Sequence, residues 1–102
     1  MSNPAITVQS SNVDLGEILP QHARESIEKV ASKYFGRLTT ATAHFNKEGH
    51  DYHCSVNLQM GGLPMISAEA ENKDATLAFD SALGKAAKQL RRKKRELRED
   101  HA

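Results

Sequence analysis

The side chains most able to do chemistry in this chain are the cations of one segment, residues 85–98 (KAAKQLRRKKRELR). The segment holds eight of the fourteen Lys and Arg residues and one acid, Glu96, so its formal charge is +7. Residues 1–84 contain six basic and ten acidic residues, a formal charge of −4. This segregation of charge indicates a polyanionic partner, with nucleic acid as the first candidate and an anionic membrane surface as the second.

A metal site is the second chemistry to consider, because His44, His50, His53 and Cys54 lie close in sequence. Successive side chains of a strand point to opposite faces, so His53 and Cys54 cannot easily share a ligand. We expect Cys54 to be a core thiol and no metal to be bound.

Catalysis is not indicated either. Glu69, Glu71 and Asp80 are interpreted as surface carboxylates, since no paired base accompanies them. Gly61-Gly62 is followed by a strand pattern, whereas a phosphate loop leads into a helix. We therefore expect a protein that is not an enzyme and has no cofactor and no small-molecule substrate.

The length of 102 residues suits one domain, residues 1–102, with a modest core. A single cysteine cannot form an internal disulfide, and the sequence contains neither a signal-peptide pattern nor about 18–20 consecutive apolar residues. A cytoplasmic protein is the expectation.

The first half of the chain predicts a strand and then a helix. Residues 5–9 (AITVQ) are typical of a short strand. Apolar residues at spacings of three and four then predict a helix over residues 17–36, with Gly16 as its N-cap and Pro20 in its first turn.

The second half predicts three strands and a long helix. Alternation over residues 39–46 and 52–60, around a turn at 48–51, indicates a hairpin with one buried face. A fourth strand follows at residues 63–71, and Asp74 is the predicted N-cap of the last helix. The apolar stripe of this helix ends near Leu90, because Lys93 occupies its next position, so residues 91–102 are expected to project.

The order β-α-β-β-β-α predicts an α+β, two-layer fold similar to that of double-stranded-RNA-binding domains. Its four-stranded sheet is mostly antiparallel, with both helices on one face. On a helical wheel the basic residues of the last helix lie opposite the apolar stripe, and helix one carries a second basic row. The candidate phosphate-binding residues are Lys29, Lys33 and Arg37 of helix one, with Lys85, Lys88, Arg91, Arg92, Lys94, Arg95 and Arg98 of the last helix.

Two other interpretations of these charges were weighed. Compensation of the helix macrodipole explains cations in the last turn, whereas these extend over about four turns. Membrane binding is disfavoured because the alanine-rich stripe lacks Trp and is expected to pack on the sheet.

Three segments resemble the ribosome hibernation promoting factor family, also called ribosome-associated inhibitor or sigma-54 modulation proteins. They are KYFGRL (33–38), FNKEGHDYHCSV (45–56) and AEAENKDATLAFDSALGKAAKQLRRKKRELRED (68–100). The resemblance implies a bacterial protein that binds rRNA of the small ribosomal subunit in the mRNA and tRNA decoding channel. It also implies inhibition of translation in stationary phase or stress, with the basic residues named above as the rRNA contacts.

This chain departs from the resemblance at Ala75-Thr76 and at Lys93, where relatives often carry aromatic residues. The expected protein is a monomer when free, either a short family member or the N-terminal module of a long, ribosome-dimerising form. The alternatives are a general double-stranded-RNA-binding or RNA-chaperone module, and a structural module that pairs with an acidic protein.

Overall fold

The structure, a computed structural model, describes residues 5–11, 13–34, 38–61 and 64–99. The elements are β1 (Ala5–Ser11), α1 (Ile18–Tyr34), β2 (Leu38–Glu48), β3 (Asp51–Met60), β4 (Ile66–Asn72) and α2 (Ala75–Glu99). The strands form one sheet in the order β1-β2-β3-β4, in which β1 and β2 are parallel and the other two pairs are antiparallel. The predicted α+β class and element order are confirmed.

The hairpin alternation predicted from sequence decides which sheet face is buried. Ala41, Ala43 and Phe45 of β2 are buried, as are Cys54, Val56, Leu58 and Met60 of β3. Both helices bury their apolar stripes in the same core, α1 mainly through Ala23 and Ile27. The core is therefore a single layer between one face of the sheet and two helices.

Local hydrogen bonds explain where the helices begin. Asp74 accepts bonds from the backbone N–H groups of Thr76 (2.8 Å) and Leu77 (3.2 Å), which confirms it as the N-cap of α2. The prediction for α1 was wrong by one residue, since the carbonyl of Glu17 accepts the bond from the Gln21 N–H. Gly16 instead forms the preceding turn at φ +71°, a conformation that glycine adopts without strain.

Two strand boundaries also differ from the prediction. β1 continues to Ser11, because its parallel pairing with β2 extends to the pair Ser11 and Asn46. β4 begins only at Ile66, after Pro64, and lies at the edge of the sheet. Proline cannot donate a ladder hydrogen bond, and it is tolerated here because no such bond is needed just before an edge strand.

The two helices run in the same direction. α1 connects the parallel strands β1 and β2, so it runs opposite to both. β4 also runs with β2, and α2 runs opposite to β4, since Lys85 contacts Glu69 and, one turn on, Gln89 contacts Ser67. The C-terminal ends of α1 and α2 are thus at the same end of the domain.

Candidate nucleic-acid interface

An aromatic contact fixes the start of α2 on the sheet and beside α1. The Phe79 ring stacks on Phe45 of β2 with a centroid distance of 6.1 Å and an interplanar angle of 29°. The same ring meets the His22 imidazole of α1 edge-on, at 5.8 Å and 74°. Phe79 therefore ties three elements together, and such pairs add stabilisation beyond their buried area.

A polar contact marks the sides on which the helices face each other. His22 Nε2 lies 2.9 Å from Asp80 Oδ1, with side chains 41% and 48% exposed. An exposed pair of this kind contributes at most about 1 kcal/mol. The contact is informative mainly about geometry, because it identifies the flank of each helix that is turned toward the other helix.

Lys29 and Lys33 lie on this flank of α1. At 100° per residue, they fall within about 20° of His22 around the helix axis. Both side chains are exposed. Lys33 comes eleven residues after His22, so it lies about 16 Å further along the helix.

Arg91 lies on the matching flank of α2, and Arg95 lies beside it on the outward face of the helix. Arg91 falls within about 20° of Asp80 around the axis and Arg95 within about 60°. Arg91 also comes eleven residues after Asp80, which puts it at the level of Lys33 because the helices run in the same direction. These four cations, Lys29, Lys33, Arg91 and Arg95, form what we call the inter-helix cationic surface.

The remaining candidates occupy other positions. Lys88 is exposed on the outward face of α2, about 20° from Arg95 around the axis, and Arg92 is exposed on the β4 side, about 20° from Lys85. Lys85 is exposed but directed to the sheet edge, where its ammonium donates to the Glu69 carbonyl at 3.1 Å. Arg37 lies outside the described residues, as do the side chains of Lys94 and Arg98.

The end of the apolar stripe is as predicted. Leu90 is fully buried, whereas Lys93 is only half-buried. Gln89 is level with Ser67, so Lys93 reaches the level of the residues that precede β4. The turns of α2 beyond Leu90 therefore extend past the start of β4.

Most of the positive charge is on α2. This helix holds eight basic and three acidic residues, whereas α1 holds three basic and two acidic residues. The two acids of α1, Glu25 and Glu28, line an open depression of about 580 Å³ with Lys29 and Lys33. The α1 contribution to the potential is thus weaker than its row of lysines suggests.

The other end of the domain is acidic. Glu48 and Asp51 flank the β2–β3 turn, Glu71 lies near the end of β4, and Asp74 precedes α2. Topology brings these residues to the end that carries the helix N-termini, opposite the inter-helix cationic surface. The domain is therefore an electrostatic dipole along its helices.

The sheet face opposite the helices is polar, and its charged groups are carboxylates, among them Glu69, whose Oε2 lies 3.5 Å from His53 Nε2. Ser67 Oγ donates to Asn57 Oδ1 at 2.7 Å, His53 lies 3.1 Å from Asn46, and Ser11 lies 3.0 Å from His44. Among the described residues of the four strands, no Lys or Arg projects from this face. It offers neither cations for phosphates nor aromatic rings for bases.

Cys54 and His53 lie on opposite faces of the sheet, as predicted. Cys54 is fully buried, and desolvation raises the pKa of its thiol to about 12. Within the described ranges, no three His, Cys, Asp or Glu residues are arranged to hold a metal ion. In the same part of the chain, no helix has the length and apolarity to cross a membrane.

Sequence reasoning missed two residues of this region, His22 and Gln89, and the pairing of Asp80 with His22. None carries a signal in the sequence, because each acts through a partner on another element.

Comparisons with known proteins place this geometry in a family. The sequence profile described as "Sigma 54 modulation protein / S30EA ribosomal protein" matches residues 6–98. The chain belongs to this family. The resemblance found in the sequence is thereby confirmed.

Among the relatives of this S30EA family member is the "Ribosome hibernation promotion factor" of Rhizobium meliloti (strain 1021), 25% identical over 97 residues. The match covers 95% of the chain and 51% of the relative, so the chain spans about half the length of that curated protein.

Two solved structures share the fold. The N-terminal domain of Thermus thermophilus Protein Y superposes with a TM-score of 0.77 at 15% identity, covering 88% of this chain and 98% of that one. A ribosomal subunit interface protein from Coxiella burnetii gives a TM-score of 0.71 at 22% identity, covering 88% and 97%. At these identities the likeness concerns the fold alone.

Proposed function

We propose that this protein is a non-enzymatic, cytoplasmic ribosome hibernation factor that binds rRNA of the small ribosomal subunit. It occupies the mRNA and tRNA decoding channel and so inhibits translation in stationary phase or stress. Family membership supports the ribosome as the partner, and the relatives carry names that refer to hibernation and to the subunit interface.

The observation that carries the proposal is the gathering of cations at one end of the helix layer. Lys29 and Lys33 face the flank of α2 that presents Arg91, and the turns of α2 beyond Leu90, which include Arg95, extend the charge past the start of β4. Phosphate backbones are attracted to such a surface through counterion release. Contacts of Lys and Arg to phosphates position a protein on RNA without requiring a particular base sequence.

The uneven distribution of charge along the domain favours one orientation of the protein relative to the RNA. Phosphates attract the cationic end and repel the end with Glu48, Asp51, Glu71 and Asp74. The cationic end therefore enters an rRNA-lined channel first. Steric occupation by the rest of the domain then excludes mRNA and the tRNA anticodon ends.

Arg37, Lys94 and Arg98 are included in the proposed contact set on the strength of their sequence positions. With the described cations Lys29, Lys33, Lys85, Lys88, Arg91, Arg92 and Arg95 they make up the rRNA-binding residues that we propose.

Charge reversal tests this proposal. Arg91→Glu, Arg92→Glu and Arg95→Glu together should abolish cosedimentation with purified small subunits, with an unchanged circular dichroism spectrum. The matched control reverses Arg24, Lys47 and Lys73, three exposed cations outside the proposed surface, and should cosediment almost as wild type does. Wild-type cosedimentation of the first variant would overturn the proposal.

A general duplex binder would behave differently. It should bind an arbitrary RNA duplex as tightly as the small subunit, because shape and phosphate contacts are then sufficient. Competition by excess duplex RNA of unrelated sequence should leave the hibernation factor on the subunit.

A further inference from the structure

Two polar side chains of α2 donate hydrogen bonds to the edge strand of the sheet. Lys85 Nζ donates to the Glu69 carbonyl at 3.1 Å, and Gln89 Nε2 donates to the Ser67 carbonyl at 2.8 Å. Both acceptors belong to β4, an edge strand whose outward carbonyls have no strand partner in the sheet. We call Lys85 and Gln89 the β4 latch.

The spacing of the latch matches that of the strand. The four-residue step from Lys85 to Gln89 rises about 6 Å along the helix, and the two-residue step from Glu69 to Ser67 spans about 6.7 Å along the strand. The two bonds therefore fix both the position of α2 along β4 and its rotation about its own axis.

Between Leu83 and Leu90, α2 packs on the sheet with few large apolar side chains. Between the large buried side chains Leu83 and Leu90, the only fully buried residue is Ala86 among those the structure describes there. A methyl group interlocks little with the opposing surface, so it resists sliding and rotation poorly. The β4 latch supplies polar bonds of defined geometry in that section.

Rotation of α2 about its own axis would affect RNA binding, because the two sides of the helix have different roles. Lys85 and Gln89 lie on the β4 side, whereas Arg91 lies on the α1 side and Arg95 next to it on the outward face. With a helix radius of about 6 Å, a rotation of 40° moves a side chain by about 4 Å. That displacement is more than a hydrogen bond to a phosphate tolerates.

We propose that Gln89, with Lys85, is a positioning residue that orients α2 so that Arg91 faces α1 and both Arg91 and Arg95 are turned toward the bound RNA. This rests on the proposed function for its RNA readout. Gln89 is the informative half of the latch, because it can be replaced without any change of charge.

Gln89→Met removes the donor while keeping a flexible side chain of similar length. Binding to small subunits should weaken several-fold, and the slope of log K against log salt should become shallower by about 0.7–1.8, as if one or two phosphate contacts were lost. Loss of folded protein alone would lower the apparent affinity but leave the slope unchanged. Thr76→Met, an exposed neutral control on the same helix, should retain both affinity and slope.

A second measurement does not require RNA. Residual dipolar couplings of the free protein report the relative orientation of α1 and α2. The Lys85→Met, Gln89→Met double variant should differ from wild type and from Thr76→Met in this orientation. Unchanged couplings in a folded double variant would overturn the proposal, and so would a wild-type salt slope for Gln89→Met. If wild type itself fails to bind small subunits, the proposed function fails while the couplings still decide the role of the latch.

Discussion

Removing Arg91 and Arg95 together should reduce the salt dependence of small-subunit binding by a calculable amount. Both are exposed, Arg91 on the flank of α2 that faces α1 and Arg95 beside it, and both are replaced by Gln, which retains hydrogen-bonding capacity and helix propensity. The substitution therefore removes charge with little effect on the fold. It tests whether these two side chains contact phosphates in the complex.

The magnitude follows from counterion release. Each lost phosphate contact makes the slope of log K against log salt shallower by about 0.7 for single strands and about 0.9 for duplex. Two contacts give about 1.4–1.8. Between 50 and 200 mM salt, the affinity of the double variant should thus fall about 7- to 12-fold less than that of wild type.

Fluorescence anisotropy with labelled protein and purified small subunits, titrated at four or more salt concentrations, measures this slope. The control replaces Arg24 and Lys73 by Gln, an equal change of net charge on cations far from the inter-helix cationic surface. Its slope should match that of wild type. Equal slopes for wild type and the Arg91, Arg95 variant would refute the argument, because charge would then act only at long range.

Three further changes test the fold and its ionisation. Asp74→Ala should lower the free energy of unfolding by about 1 kcal/mol in urea titrations, because two N–H groups of α2 lose their acceptor. Phe79→Ala should lower it by about 3–5 kcal/mol, since a buried ring is lost from the contact with Phe45 and His22. Between pH 9.0 and about 12 the unfolded chain loses the Cys54 proton while the native protein retains it, so stability should fall as pH rises, by up to about 1.4 kcal/mol per pH unit.

Each has a matched comparison. Asp74→Asn preserves an acceptor and should be nearly neutral, so equal losses for Ala and Asn would remove the capping argument. Phe79→Leu should cost clearly less than Phe79→Ala if packing is the cause. Cys54→Ala should lack the alkaline decrease attributed to the thiol, and an identical pH profile for this variant would contradict that assignment.

The strands and the buried faces were predictable because their signal is local. The alternation ending at Phe45 and the one beginning at Tyr52 identify one buried face, and Asp74 identifies a helix start. The ends of the strands were harder to predict where backbone pairing with a neighbouring strand, rather than residue composition, determines where the strand stops. Ser11 is polar, and its composition favours a loop. It belongs to β1 nevertheless, because it pairs with Asn46 of β2.

The candidate site was predictable only as a set of residues. Wheel positions separated the cations of α2 from its apolar stripe, but they could not show which cations face α1. That assignment depends on the contact between His22 and Asp80, which are 58 residues apart in sequence. The bond from Lys85 to a strand carbonyl was not predictable, because nothing in the neighbouring sequence indicates its acceptor.

The most direct test of the central claim is competition on the small subunit. Labelled protein is bound to purified small subunits, and mRNA with initiator tRNA is then added at increasing concentration. Occupation of the decoding channel predicts that the two exclude each other, so the label should be released as the tRNA binds. Stable ternary complexes containing the protein, mRNA and tRNA would contradict the account.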